Sequence, residues 1–79
     1  MSSGRWRVVL WDDDTNTPAT VAFVLHRVVG LPLGTALDLP HEVDARGVAE
    51  VGRYDDLEDA ELTAARMQVF GLHSGVVPE

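Results

Sequence analysis

Apolar and polar positions alternate over "RWRVVLW" (5–11): Trp6, Val8 and Leu10 fall on one side, Arg7, Val9 and Trp11 on the other. A period of two predicts a strand. Asp12 to Thr17 are turn residues and end it. From Pro18 the period changes. Val21, Val24, Leu25 and Val28 recur at i, i+3, i+4 and i+7, the stripe of a helix over 18–30. Thr17 suits its N-cap, Pro18 its first position, where a missing N–H costs nothing, and Gly30 its stop. A second helical stripe, Ala36, Leu39 and Val43, runs through 31–47 and ends at Gly47. Pro40 lies inside it, deletes the bond to the Ala36 carbonyl and predicts a kink or two short helices.

"VAEVGRY" (48–54) reads as the second strand. In 55–71 the buried stripe is Leu57, Ala60, Ala64 and Met67, with Asp56 placed to cap, Asp59 in an acidic first turn and Gly71 as the stop. "LHSGVVP" (72–78) reads as the third strand. The order β-α-α-β-α-β, with short connections, predicts an α+β fold: a small three-stranded antiparallel sheet covered by helices on one face. Residues 1–5 read as a short polar tail and residues 6–79 as a single domain, without repeat or linker.

Composition sharpens this picture. At 79 residues the domain is near the lower limit for folding without staples, and with no cysteine it has no disulfide framework or thiolate metal site. Its 46% apolar residues can supply one compact core. No apolar run reaches the length of a secretory signal or a membrane span, so the expectation is a soluble, cytoplasmic protein without membrane attachment. The net charge is −7, with six arginines and no lysine. Such a surface repels nucleic acid and anionic lipid and suits a cationic partner, or one presenting an amino group.

The acids Asp12, Asp13 and Asp14 follow directly on the first strand. Asp and Asn favour strand-to-helix junctions because they bond nearby backbone N–H groups, and a junction alone would explain them. An EF-hand does not: Asp12, Asp14 and Asn16 match its first three ligands, but Thr17 stands where the loop needs Gly and Phe23 where it needs a bidentate acid. A phosphotransfer aspartate needs a parallel sheet with further loops, which this chain is too short to build. The remaining alternative is a cation receptor, since clustered carboxylates accept charge-assisted bonds from an ammonium group. Val21 and Val43 suit the walls of an adjoining apolar pocket if the first two helices face each other.

His26, His41 and His73 are scattered without metal-ligand spacing, and Ser2, Ser3 and Ser74 lie on no nucleophile motif. With no Gly-rich phosphate loop either, the expectation is a non-enzyme without cofactor or metal. "YDDLEDAE" reads most simply as the solvated first turn of the third helix, with a partner surface as the minority alternative.

From about Trp6 to Leu72 the chain resembles the ClpS family, adaptors that recognise N-terminal degradation signals for the Clp AAA+ protease. The resemblance rests on "WRVVLWDDDTNTPATVAFVLHRVVG", in which a strand ends in acids followed by Asn16 and a helix. It rests also on "ALDLPHEVDARGVAEVG" for the second helix and its ending, and on "LEDAEL" for the third helix. It implies that Asp12 and Asp13 receive a peptide α-amino group. Asp44 stands where the family has the histidine that completes this site. Asp14 and Asn16 would line the pocket mouth and Val21 and Val43 its walls. Pro18 and Pro40 occupy pocket positions usually held by methionine. Glu61 matches an acid on the ATPase-facing surface, where Val48 and Thr63 replace basic residues. "VVGLPLGTALDL" is also similar to the C-terminal domain of the bacterial ribosomal stalk protein, which shares the element order but depends on lysines absent here.

Two functions follow as expectations. The first is an adaptor that binds a peptide or protein N-terminus (an N-degron) and presents it to a Clp ATPase. The alternative is a divergent module of the same fold, serving as an accessory subunit or peptide-binding partner of another enzyme.

Overall fold

The computed structural model describes residues 5–13 and 15–79; residues 1–4 of the tail read over 1–5, and the candidate Asp14, lie outside the described residues. The elements are β1 (Trp6–Trp11), α1 (Pro18–Val24), a π-helical turn (Leu25–Val29), α2 (Leu33–Arg46), β2 (Val48–Tyr54), α3 (Leu57–Val69) and β3 (Ser74–Pro78). The strands form one antiparallel sheet in the order β2-β1-β3, so β1 is central. This is the α+β architecture the periodicities predict.

The core follows the predicted stripes. Val8 and Leu10 of β1 and Ala49 and Val51 of β2 pack against Val21, Val24 and Leu25, against Ala36, Leu39 and Val43, and against Ala60, Ala64 and Met67. Val9 projects away from this cluster yet is only 4% exposed. It lies in register between Glu50 and Gly75. A bulge falls between Val8 and Val9: Val8 pairs with Gly52 and Val9 with Glu50, leaving Val51 as the extra residue. That extra residue lets Ala49 and Val51 face the core at one end of β2 and Tyr54 pack against it at the other. On the sheet's other face Glu50 is paired with Arg7 and Arg53, and Arg53 with Glu79.

Four local expectations change. The helix predicted over 18–30 turns from α to π at Leu25, and Gly30 closes it with φ 91° and its N–H on the Leu25 carbonyl. The wider turn brings the adjacent Val28 and Val29 both against the core, which a strict 3.6-residue period does not do. The helix through Pro40 is a single 14-residue element rather than two short ones. Pro40 removes one hydrogen bond, while Ala36, Leu39, Pro40 and Val43 are all buried and hold both halves to the core. Asp56 has the extended backbone of an N-cap, but its side chain makes no capping bond, and Leu57 beside it is 40% exposed rather than buried. The third strand starts at Ser74 rather than residue 72, although Leu72 is buried ahead of it.

Candidate functional site

The acid loop between β1 and α1 is built by its own side chains. Thr17 is the N-cap of α1, its hydroxyl accepting from the Thr20 N–H at 3.2 Å, and Pro18 opens the helix as expected. Asp13 organises the turn before it. Its Oδ1 accepts from the backbone N–H groups of Thr15 at 2.8 Å and Asn16 at 2.7 Å. The Asn16 side-chain amide donates to Asp13 Oδ2 at 3.2 Å and to the Gly71 carbonyl at 2.8 Å. Both partners are pure acceptors, which fixes the orientation of the amide.

These bonds set the electrostatics. The Asn16 N–H above all holds the Asp13 carboxyl below its ordinary value; the Asn16 amide, the Thr15 N–H and the field of His73 add to this, while partial burial opposes it. Asp13 is therefore a fixed carboxylate with much of its accepting capacity used within the loop. No hydrogen bond or ion pair engages the side chain of Asp12 or Asp44 among the described residues, and both are exposed.

Backbone bonds bring the neighbouring segments to this loop. The Asp12 N–H donates to the Gly47 carbonyl at 3.0 Å, joining the loop to the end of α2, and the Trp11 N–H donates to the His73 carbonyl at 2.8 Å. α1 and α2 pack against each other. Between them and the end of β1 lies a cavity of about 120 Å³, lined by Leu10, Trp11, Asp12, Asp13, Asn16, Pro18, Val21, Pro40, Val43 and Asp44. Val21, Pro40 and Val43 supply buried apolar wall, while Asp12, Asp44 and Pro18 lie at its exposed margin.

Nearly all of the candidate site thus converges on one cavity. Two candidates stand apart: Asp14 is outside the described residues, and Glu61 is exposed on α3 beside Glu58, Asp59, Leu62 and Ala65, along a shallow open depression. The site reading missed Leu10 and Trp11. In the sequence Leu10 shows only as one side of the first strand's alternation; Trp11 stands at the last strand position before the acids, and that adjacency is the available signal. The Trp11 ring is held by His73, with centroids 5.1 Å apart, and lies over Gly75. Among the described residues no group of three or more His, Asp or Glu is arranged to hold a metal ion.

The family model described as ATP-dependent Clp protease adaptor protein ClpS matches residues 1–75. The chain belongs to the ClpS family. ClpS is a family of Clp protease adaptors and not of catalysts. Among solved structures, Agrobacterium tumefaciens ClpS2 bound to L-phenylalaninamide is similar with a TM-score of 0.89 and 23% identity, covering 99% of this chain and 100% of that one. At that identity the likeness speaks for the ClpS fold. No curated protein matches the chain. No helix among the described residues is long and apolar enough to cross a membrane.

Proposed function

We propose that this ClpS-family chain binds the N-terminal residue of a peptide or protein in the cavity between α1 and α2 and presents it to a Clp AAA+ ATPase. The observation that carries the reading is the joining of carboxylates to apolar wall in one cavity. An α-ammonium group offers three donors and a positive charge. Asp12 and Asp44 have free acceptors for it, and Asp13 contributes a fixed negative charge and its less committed oxygen. The first side chain then enters between Leu10, Val21, Pro40 and Val43 and gains by leaving water. The ligand of Agrobacterium ClpS2, L-phenylalaninamide, has this same pairing of a free α-amino group and a bulky apolar side chain. On this reading Glu61, with Leu62 and Ala65 beside it, faces the ATPase.

Fluorescence polarisation with peptides beginning in Phe, Leu, Trp or Tyr tests the reading. Acetylation of the peptide removes the charge and two donors and leaves the carboxylates unmatched, so it is expected to weaken binding by about a hundredfold or more. Absence of binding, or binding indifferent to acetylation, removes the reading.

A second reading is favoured by Asp44, Pro18 and Pro40. These replace an imidazole and two adaptable side chains of the resembled family pattern with a carboxylate and two rigid rings. In it the chain keeps the ClpS fold but serves another enzyme as an accessory subunit. Pull-down from the native host separates the two: a Clp ATPase as sole partner favours the adaptor, another enzyme the accessory subunit.

A further inference from the structure

Of the three histidines, His73 alone reaches the candidate site. Its ring lies against the indole of Trp11, with centroids 5.1 Å apart and planes at 46°, and Trp11 lines the cavity. The His73 carbonyl accepts from the Trp11 N–H at 2.8 Å. Two residues earlier, the Gly71 carbonyl accepts from the Asn16 amide, which also donates to Asp13. The turn between α3 and β3 is therefore fastened to the β1 end and the acid loop on either side of the buried Leu72. These bonds keep His73 beside Asp13. The other two histidines have no such place. His26 is bonded to the Leu31 carbonyl beyond α1, and His41 is exposed on α2 outside the cavity lining.

An imidazole is the ordinary side chain that changes charge between about pH 5 and 8. His73 is exposed, so a proton reaches it freely. The charged groups around it are few. Asp13 faces it from the acid loop, with Asp12 next in sequence, and β1 presents the uncharged indole. β3 has no charged residue from Ser74 to Pro78, and the last turn of α3 has Arg66. Arginine and carboxylate side chains ordinarily keep one charge over this range, so His73 is the group that changes the field at the loop. Protonated, the ring is held from two sides, by the π-face of the indole and by the Asp13 carboxylate. A peptide ammonium at that same carboxylate then meets a like charge. Resting on the adaptor reading, we infer that His73, seated on Trp11, is a positioning residue of the amino-group site that acts through Asp13 and weakens the binding of a peptide N-terminus when it is protonated. The effect is reciprocal: the proton and the peptide weaken each other's binding by the same factor.

The test is polarisation on the intact chain with a Phe-starting peptide and its N-acetyl form, from about pH 7 to about pH 5. Titration of the peptide's own amine in this range acts in the opposite sense, because it gains charge as pH falls. Affinity for the free-amine peptide is expected to fall about three- to fivefold towards the acid end at low salt, the scale of an exposed ion pair. The fall is expected to shrink at about 0.5 M salt. Each variant is checked for folding by its thermal melt at both pH values. His73→Gln is expected to lose the fall and His41→Gln to keep it. His73→Lys, which holds its charge throughout, is expected to bind at pH 7 as weakly as the parent does at pH 5, so the two His73 variants test the charge from opposite sides. Affinity that does not fall towards acid, with acetylation still weakening binding, overturns the inference and leaves the adaptor reading standing. So does a fall that persists in His73→Gln, a fall lost in His41→Gln, or His73→Lys binding at pH 7 as tightly as the parent. Failure of the free-amine peptide to bind at any pH, or binding indifferent to acetylation, removes the adaptor reading and the inference with it.

Discussion

The side-chain amide of Asn16 donates to the backbone carbonyl of Gly71 at 2.8 Å, across 55 residues of chain. The same amide reaches Asp13, so one side chain closes the acid loop and pins it to the turn between α3 and β3. Asn16→Ala removes both attachments. It is expected to cost about 1 kcal/mol in thermal unfolding and to lower affinity for a Phe-starting peptide. Asn16→Asp is expected to be worse on both measures, because it turns an acceptor towards the Gly71 carbonyl and adds a carboxylate beside Asp13. An Asn16→Ala variant that melts and binds like the parent contradicts this account of the loop.

Trp11 is positioned by a missing side chain. A Cβ built at Gly75 lies 2.9 Å from Cη2 and Cζ3 of the indole, closer than carbon atoms tolerate. Gly75→Ala is therefore expected to push the ring from its place against His73 and to cost about 1–3 kcal/mol, the scale of overpacking. The penalty should vanish in a Trp11→Ala background, where nothing opposes the methyl group. A double-mutant cycle on unfolding free energies, with near-UV circular dichroism for the indole, measures it. Additive penalties would show that the ring is not what Gly75 accommodates.

The sheet, the three helices and part of the cavity were legible because they depend on local periods and on neighbours in sequence, while Asn16, Pro18, Pro40 and Asp44 came to the cavity only through the resemblance to ClpS. Val21 and Val43 occupy apolar stripes, and Asp12 and Asp13 sit at a junction whose chemistry is written in adjacent residues. What escaped depends on geometry between distant segments. The ring of Trp11 over Gly75 requires the register of β1 with β3, and the burial of Val9 requires knowing what flanks it on β2 and β3. The bulge at Val51 and the π turn after Val24 each insert one residue into a regular period, and tertiary packing rather than the local pattern decides where. Pro40 left two alternatives, a kink or two short helices, and the second is excluded for the opposite reason: the local cost is real, but buried residues on both sides keep one continuous element.

Asp13 gives the loop a pH dependence with a definite sign. Its carboxyl is held below the ordinary value of 3.8 in the folded chain, mainly by the Asn16 N–H. A depressed folded value means that its contribution to stability is present above the unfolded value and is lost as pH falls through the folded one. The backbone amide resonances of Thr15 and Asn16 should therefore titrate with a midpoint below 3.8, and Asp13→Asn should abolish that titration. A midpoint at or above the ordinary value would show that these N–H groups do not favour the charged form.

Pro40 joins helix stability to cavity shape, and two substitutions separate them. Pro40→Ala restores an N–H that can donate to the Ala36 carbonyl and removes the ring's crowding of it; an interior proline costs about 3 kcal/mol or more in a helix. The loss of buried ring carbons acts the other way, by about 1–2 kcal/mol. A net gain of about 1 kcal/mol is expected in urea denaturation, with slow hydrogen exchange at the new amide as the direct sign that the bond has formed. Pro40→Met restores the same donor but places a flexible side chain at the wall. It should therefore also widen the range of first residues bound, narrowing the spread of affinities across Phe-, Leu-, Trp- and Tyr-starting peptides. If Pro40→Ala exchanges fast at residue 40 while Pro40→Met still broadens binding, the proline acts as a wall and not through the helix. If both exchange slowly and neither changes the spread, it matters to the helix alone.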